Sequence, residues 1–426
     1  MARGKSQRKA AAFPASDEEI LSTVSTIDSS ELSLAIEVDE VCSEMADLDN
    51  YLDALYEKRL SVREAGLNGL CKTLATGVHN DFATSKGETL LHQCVSILKR
   101  GSASETGLAA RVLGLLVITA GEGKVASMVY SESSAHLSRI AKQSSNVTSR
   151  VWALKSLSIM TFIVGGDEDT DSTLTVLWQV GSYDKVSHAH EASGITEPNY
   201  EVRVAALTSW AFLLTTATAD QIDLFCLEGF PALLHLLEME DRSVRLAAGE
   251  GVVSIVEWAK RNASHPDDNS VNMFTGYEDV INQMKSLSIE AGGRGTSKKE
   301  LGNQRSFFYD ALAYMQDGVA PDVIVKLSNC DCLNVNSWTR TIQINMFRGF
   351  LGGGLQTHLL GNPFLYDVFD FKPKQSRKQV LSTKEKRMYL SPNSVANKAR
   401  TQELNKRRAN ARVGNYGHFS VGMGDD

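Results

Sequence analysis

The amino-acid sequence predicts an all-α fold: an armadillo/HEAT-like α-solenoid, followed by a compact C-terminal unit and a basic C-terminal helix. Two observations carry this prediction. One short pattern recurs five times, an arginine followed by small or apolar residues and usually ending in leucine. Around each copy, apolar residues recur at helical spacing. Because a two-helix unit cannot bury its apolar face alone, such units must stack on one another.

The composition fits a globular chain. Of 426 residues, 42% are hydrophobic and 22% are charged, which argues against wholesale disorder. The longest apolar run, Val151–Gly165, is interrupted by Lys155, so we expect no membrane span. The N-terminal sequence lacks the apolar segment of a secretory signal. We therefore expect the six cysteines to be reduced thiols of an intracellular protein.

Residues 1–45 are predicted to form a disordered acidic arm. After a short basic start, residues 13–57 contain thirteen acids and no lysine or arginine. The first part of this block is rich in serine and has no helical periodicity, which is typical of disorder. Apolar residues return at helical spacing from about Ala46, and this marks the start of the helical body.

The helical repeats are predicted to span residues 46–290. The recurring arginines are Arg63, Arg111, Arg150, Arg203 and Arg245. Their intervals of 48, 39, 53 and 42 residues match two-helix repeats with insertions. We expect each arginine to open an apolar helix. The small residues that would let neighbouring helices approach closely are Ala65, Gly114, Ala153, Ala206 and Ala248. The arginines could line a binding surface, but we favour a role in which they bond to neighbouring turns and order the stack.

Residues 297–371 are predicted to form the C-terminal unit, after a flexible linker at 292–299. The predicted elements are a helix at about 300–315, a short strand at 323–327, and helices at 338–351 and 355–360 on either side of Gly352–Gly354. The first of these helices carries an aromatic stripe, and an apolar, aromatic stretch at 364–371 ends the unit.

Motifs for catalysis or metal binding are weak throughout the sequence. The segment Gly121–Lys124 hints at a phosphate loop, but Val125 follows its lysine where serine or threonine is required. His188 and His190 have no cysteine or carboxylate set at ligand spacing beside them, and the two cysteines in 330–332 have no second pair. We therefore expect no enzyme activity, no cofactor and no metal.

The basic tail, residues 372–426, carries the strongest functional signal. Between Lys372 and Arg412, thirteen lysines and arginines face two glutamates, a net charge of +11, whereas the whole chain carries −7. The remaining residues therefore sum to −18. Lysine and arginine displace condensed counterions from phosphates, so a strongly basic segment on an acidic chain is typical of a polyanion-binding arm.

A helix is predicted within this tail at about 392–411. Ser391 and Pro392 form a helix start, and no further proline or glycine follows up to Ala411. The helix would be about 30 Å long. Its few apolar residues form no wide stripe, and cations surround much of its circumference. Such a helix fits a channel with phosphates on several sides, as in folded RNA. The alternative is a solvated tail with a role in nuclear import.

Three stretches resemble the interferon-related developmental regulator family. The first is SKK at 297–299 with QRSFFYD at 304–310. The second is NSW at 336–338 with FRGFLGGGLQTHLLGN at 347–362 and the aromatic stretch at 364–371. The third is KRMYLSPNS at 386–394 with KART at 398–401 and KRR at 406–408. The resemblance covers about residues 46–412. Where the family has a strongly basic run directly after SKK, this chain has Glu300–Asn303.

The resemblance implies an armadillo-like solenoid without catalysis, and two roles are attached to the family. In the first, a non-catalytic factor binds idle ribosomes and blocks the path of tRNA and mRNA, which inhibits translation or preserves ribosomes in dormancy. In the second, a nuclear transcriptional co-regulator acts as a protein-interaction scaffold.

The basic tail favours the first role. The expected partners are ribosomal RNA and ribosomal proteins, reached mainly through the C-terminal helix, and no membrane. The expected location is the cytoplasm, with the nucleus as an additional site. The predicted RNA-binding residues are Lys386, Arg387, Tyr389, Lys398, Arg400, Lys406, Arg407, Arg408 and Arg412.

Overall fold

The computed structural model of the chain describes residues 47–183, 194–218, 229–262, 276–291, 298–327, 331–371 and 373. The predicted acidic arm and, apart from Pro373, the predicted basic tail with its helix lie outside the described residues. Leu48 to Pro373 belong to one compact unit.

The helical body is built from successive helices. Their bounds are α1 (47–54), α2 (Leu60–Thr76), α3 (Asn80–Arg100), α4 (Ala103–Ala120), α5 (Lys124–Gln143), α6 (Val147–Val164), α7 (Asp167–Gly181), α8 (Tyr200–Leu214), α9 (229–237), α10 (Arg242–Asn262), α11 (Tyr277–Ser288) and α12 (Lys298–Asp317). The predicted linker at 292–299 is too long by two residues, because Lys298 and Lys299 already belong to α12.

The helices stack in two rows. Helices α2, α4, α6, α8, α10 and α12 pack side by side and form the first row, while α3, α5 and α7 pack in sequence along the second. Successive helices of each row thus contact one another, which is the packing of a solenoid. The prediction of an all-α fold built from armadillo/HEAT-like repeats is confirmed.

Two helices of the first row are unusually apolar. Helices α4 and α6 are long and apolar enough, by length and composition, to cross a membrane. However, 72% of α4 and 61% of α6 is buried inside the protein. A helix that packs against neighbours on most sides needs apolar residues around most of its circumference, so this packing accounts for their composition.

Four of the recurring arginines occupy equivalent places, the fourth residue of a first-row helix. These are Arg63, Arg150, Arg203 and Arg245. Each donates hydrogen bonds to backbone carbonyls of an adjacent turn, as Arg203 Nη1 does to Gly181 at 3.1 Å and to Tyr183 at 2.9 Å. These bonds satisfy carbonyls that a helix end leaves without a partner. The interpretation that these arginines order the stack is confirmed.

Arg111 departs from this pattern, and the prediction that every recurring arginine opens a helix is wrong there. Arg111 is the ninth residue of α4. Its guanidinium lies over the ring of Trp152, 4.6 Å from the centroid, and Nη2 donates to the carbonyl of Phe350 at 3.3 Å. Helix α4 instead begins with a capping box formed by Ser102 and Glu105. Arg111 therefore contacts a neighbouring repeat and residue Phe350, and does not bond to an adjacent turn as the other four arginines do.

The residues from 323 to 371, here called the C-terminal segment, continue the chain with a small hairpin and three helices. The hairpin pairs β1 (Val323–Lys326) with β2 (Cys332–Val335) in antiparallel register. It is followed by α13 (Trp338–Leu351), a single 3₁₀ turn at Gly352–Gly354, α14 (Leu355–Gly361) and α15 (Pro363–Phe369). The sequence predicts β1 and α13 with these bounds to within one residue, but it does not predict β2.

The C-terminal segment packs along the first row of helices. Helix α13 contacts α2, α4, α8 and α10. The ring of Phe347 meets the rings of Phe162 and Phe212 edge-on, with centroids 6.0 Å apart in both pairs. Gly114, one of the predicted small residues, lies under this segment, and a Cβ there would come within 2.6 Å of Phe350. The segment therefore shares its core with repeats from both halves of the stack.

Polar contacts fix the far end of the C-terminal segment to α2 and α4. The Nδ2 atom of Asn362 donates to the carbonyl of Ile118 at 2.8 Å. The buried ring of His358 lies with Nε2 3.1 Å from the carbonyl of Leu74. Burial lowers the pKa of His358 to about 4, so the ring is neutral at pH 7 and its Nε2–H donates to this carbonyl.

Gly354 lies closest to the repeats. A Cβ at this position would fall 1.9 Å from the carbonyl oxygen of Ala75 and 2.7 Å from Cα of Thr76. Both atoms belong to the backbone of α2 and cannot rotate away. The absence of a side chain at Gly354 therefore allows the 3₁₀ turn to sit directly on the end of α2.

Candidate docking groove

The nine predicted RNA-binding residues all lie outside the described residues. They are Lys386, Arg387, Tyr389, Lys398, Arg400, Lys406, Arg407, Arg408 and Arg412. Their role in RNA binding stays a prediction from sequence. The described residues form a different candidate site, which the sequence does not predict.

This candidate site, here called the docking groove, lies where α13 crosses three first-row helices. The groove has a volume of about 490 Å³ and is lined by residues of α6, α8, α10 and α13. Ile342 and Met346 of α13 supply apolar lining, and Tyr200 at the start of α8 is 50% exposed at its edge. The groove is the space that α13 leaves open along the surface of α6, α8 and α10.

Side-chain caps fix the starts of two helices that line the docking groove. Asn199 caps α8, since its side chain accepts a hydrogen bond from the backbone N–H of Val202 at 2.9 Å. Asp241 caps α10 in the same way and accepts from the N–H of Val244 at 3.0 Å. The carboxylate of Asp241 therefore has a structural role, although it also lines the groove.

Two ionisable side chains in the docking groove are perturbed by burial. Burial raises the pKa of Glu250 to about 7, and its carboxylate has no hydrogen-bond or ion-pair partner within the part of the chain that the structure describes. Burial, and then the nearby charge of Arg111, lower the pKa of Lys155. The Lys155 Nζ atom lies 5.4 Å from the centroid of the Trp152 ring. Both groups can gain energy from a ligand that supplies an opposite charge.

Replacing Glu250 with glutamine is expected to stabilise the protein above neutral pH. Because the pKa of Glu250 is raised from its ordinary 4.5 to about 7, the folded state holds its proton while the unfolded state loses it. Wild-type stability should therefore fall as the pH rises from about 4.5 to about 7. The variant lacks this loss, so the difference in unfolding free energy between the variant and the wild type should grow over the same range to roughly 3 kcal/mol.

Urea unfolding of both proteins between pH 4.5 and pH 8 measures this difference. Glu201→Gln removes an exposed carboxylate from the same groove and is the matched control for the change in net charge. A stability difference between Glu250→Gln and wild type that does not vary with pH would contradict the assignment.

Metal binding finds no support in the described ranges, which contain no group of three or more His, Cys, Asp or Glu side chains arranged to hold an ion. The docking groove combines apolar lining with a few ionisable groups, which suits binding of a polypeptide segment or a small ligand. The sequence gives only a weak indication of this groove, since Glu250 is the one ionisable residue in the largely apolar run from Leu246 to Val256.

The two stacked rows define the class of this molecule: a helical-repeat protein of the armadillo and HEAT-like kind, with a C-terminal segment packed along its first row. The sequence profile of the Interferon-related developmental regulator (IFRD) family matches residues 20–316, and the profile of the Interferon-related protein conserved region matches residues 362–411. Since the first match covers well over half of the chain, the protein belongs to the interferon-related developmental regulator family.

Relatives from mammals align over most of the chain. Interferon-related developmental regulator 2 of Mus musculus is 27% identical over 369 residues, which cover 85% of this chain and 81% of the relative. Interferon-related developmental regulator 1 of Homo sapiens is 26% identical over 380 residues, which cover 87% and 81%.

Solved repeat proteins also resemble the chain. A designed armadillo repeat protein is 14% identical, with a TM-score of 0.41, over 62% of this chain and 99% of its own. An archaeal HEAT-like repeats protein from Thermococcus onnurineus NA1 is 14% identical, with a TM-score of 0.40, over 71% of this chain and 100% of its own.

Proposed function

We propose that this protein is a non-catalytic factor that binds idle ribosomes and blocks the path of tRNA and mRNA, and so inhibits translation or preserves ribosomes in dormancy. The observation that carries the proposal is the charge of residues 372–412, which is +11 in a chain of net charge −7. Each lysine or arginine that neutralises a phosphate releases a counterion, so such a segment binds RNA strongly at low salt.

The helical body supports this proposal through its shape and construction. Stacked repeats present an extended surface that can follow RNA and protein together. Contacts between the C-terminal segment and the repeats join parts of the chain that are far apart in sequence, as Asn362 and Ile118 are. A body braced in this way is suited to steric occupation of a space, which requires neither a cofactor nor a reaction.

A nuclear protein-interaction scaffold, acting in transcriptional co-regulation, is the second candidate function. The docking groove favours it, because a mixed apolar and charged groove beside an exposed tyrosine is suited to a partner's polypeptide segment. In this case the basic tail would serve nuclear import. The two functions place the protein in different compartments: the cytoplasm for the first, and the nucleus for the second.

Sedimentation of the purified full chain with vacant and with translating ribosomes tests the proposal. We expect the protein to migrate with vacant ribosomes at low salt, to be released at moderate salt, and to be absent from translating ribosomes. The salt dependence follows from counterion release. Failure to migrate with either kind of ribosome would contradict the ribosomal function and favour the nuclear scaffold.

A further inference from the structure

A cluster of basic side chains lies on the second row of helices, at the ends of α3 and α5. We call it the outer basic patch, and it consists of Lys99 of α3 together with His136, Arg139 and Lys142 of α5. Lys99 and Arg139 are exposed, and the other two are half-buried. The patch stands out because the chain outside the basic tail is strongly acidic.

Helix geometry brings these residues together. His136, Arg139 and Lys142 follow one another at intervals of three, so they lie along one face of α5. Arg139 Nη2 donates to the carbonyl of Leu98 at 3.5 Å, which places the guanidinium at the end of α3 beside Lys99. Two permanent cations from two helices, Lys99 and Arg139, thus lie near one imidazole, that of His136.

Two of these cations act on the imidazole of His136. Burial lowers the pKa of His136, and the charges of Lys99 and Arg139 lower it further. Neither cation has an ion-pair partner in the described part of the chain. Glu132, one turn before His136 on α5, lies 3.7 Å from Nδ1 of His92 on α3, and the two form an ion pair when the His92 imidazole is protonated. The patch is therefore a local source of positive potential.

Helix stability alone does not require this arrangement. Cations in a last helical turn offset the helix dipole, which accounts for Lys99 and Lys142. Arg139 also stabilises the end of α3, because its Nη2 donates to the carbonyl of Leu98 in the last turn. It does so next to a second cation, Lys99, where mutual repulsion is unfavourable, and an anionic partner that bridges these two cations would reduce this repulsion.

We propose that the outer basic patch binds the phosphate backbone of RNA and forms a second RNA contact in addition to the basic tail. This inference rests on the proposed ribosomal function, for which it identifies a contact on the folded body. Double-helical RNA is recognised mainly through its phosphates and 2′-hydroxyls, so a compact set of cations is sufficient and needs no base-specific groups. An RNA strand bound here would lie on the row of helices opposite to the C-terminal segment.

The test compares full-length variants with equal changes in charge. The patch variant carries Lys99→Glu and Arg139→Glu. The control variant carries Lys72→Glu and Lys86→Glu, two exposed lysines of α2 and α3 outside the patch. Binding to purified vacant ribosomes is measured as a function of salt. We expect the affinity of the patch variant at low salt to fall by a factor of about ten or more. The slope of its log affinity against log salt concentration should become shallower by roughly 1.5 to 2, while the affinity of the control should change less than about threefold.

A second measurement separates this inference from the ribosomal function. The same two pairs of substitutions are introduced into a chain that also carries Lys406→Glu, Arg407→Glu and Arg408→Glu, and binding to a synthetic 20-base-pair RNA duplex is measured. Residual binding that the patch substitutions abolish and the control substitutions preserve supports the patch, even if the wild type fails to bind ribosomes. Equal binding by the two variants, or no residual binding at all, would overturn the inference. Thermal unfolding verifies that both variants are folded.

Discussion

Replacing Gly354 with alanine is expected to destabilise the protein by about 3 kcal/mol or more. The new methyl group would fall 1.9 Å from the carbonyl oxygen of Ala75, well inside van der Waals contact, and that oxygen belongs to the backbone of α2. Because neither partner can rotate out of the way, the 3₁₀ turn must move off α2. The neighbouring contact between His358 and the carbonyl of Leu74 would be lost with it.

Thermal unfolding followed by circular dichroism measures this effect, and we expect the midpoint to fall by several degrees. Hydrogen exchange should also become faster in α14 and α15 than in the repeats. Gly353→Ala is the matched control, since it changes the same turn but its Cβ would meet no atom within 4 Å. If both variants unfold at the same temperature, the close approach of Gly354 to α2 is not required for stability.

Reversing the charge of three residues in the basic tail is expected to abolish ribosome association at physiological salt. The variant carries Lys406→Glu, Arg407→Glu and Arg408→Glu, which changes the net charge of residues 372–412 from +11 to +5. If these three residues contact phosphates, their loss should weaken binding about a hundredfold or more and lower the salt slope by roughly 2 to 3. Co-sedimentation with vacant ribosomes at several salt concentrations measures both quantities.

The matched control reverses three exposed lysines of the body, Lys58, Lys72 and Lys86, and so changes the net charge equally. We expect this control to keep most of the affinity. If the tail variant co-sediments with ribosomes as well as the wild type does, the tail does not mediate ribosome binding. A change in its cellular location without a change in ribosome binding would instead favour the nuclear scaffold and a targeting role for the tail.

Local features of the structure are predictable from sequence because their causes lie within a few residues. Helix α13 has the predicted bounds, since Ser337 caps its start and accepts from the N–H of Arg340 at 3.2 Å, while Gly352 with a φ of 54° ends it. The roles of Arg150 and Arg203 also follow from the pattern, because a repeat places the same residue next to the same kind of turn each time.

Contacts between distant parts of the chain are not predictable in this way. Arg111 and Phe350 are 239 residues apart, and His358 and Leu74 are 284 apart. No periodic pattern indicates which helix the C-terminal segment meets, so neither the position of α13 along the first row nor the docking groove beside it can be read from the sequence. The raised pKa of Glu250 results from that packing, so it cannot be predicted from the sequence either.

The position of the C-terminal segment has a consequence for the biosynthesis of this chain. A ribosome makes the repeats first and the residues that cover their first row last, so the apolar surface beneath Phe347 and Phe350 stays uncovered until both phenylalanines have left the exit tunnel. Contacts that join residues more than two hundred positions apart also form slowly. During this interval the nascent chain presents a surface that a chaperone would recognise, and a truncated product would present it permanently.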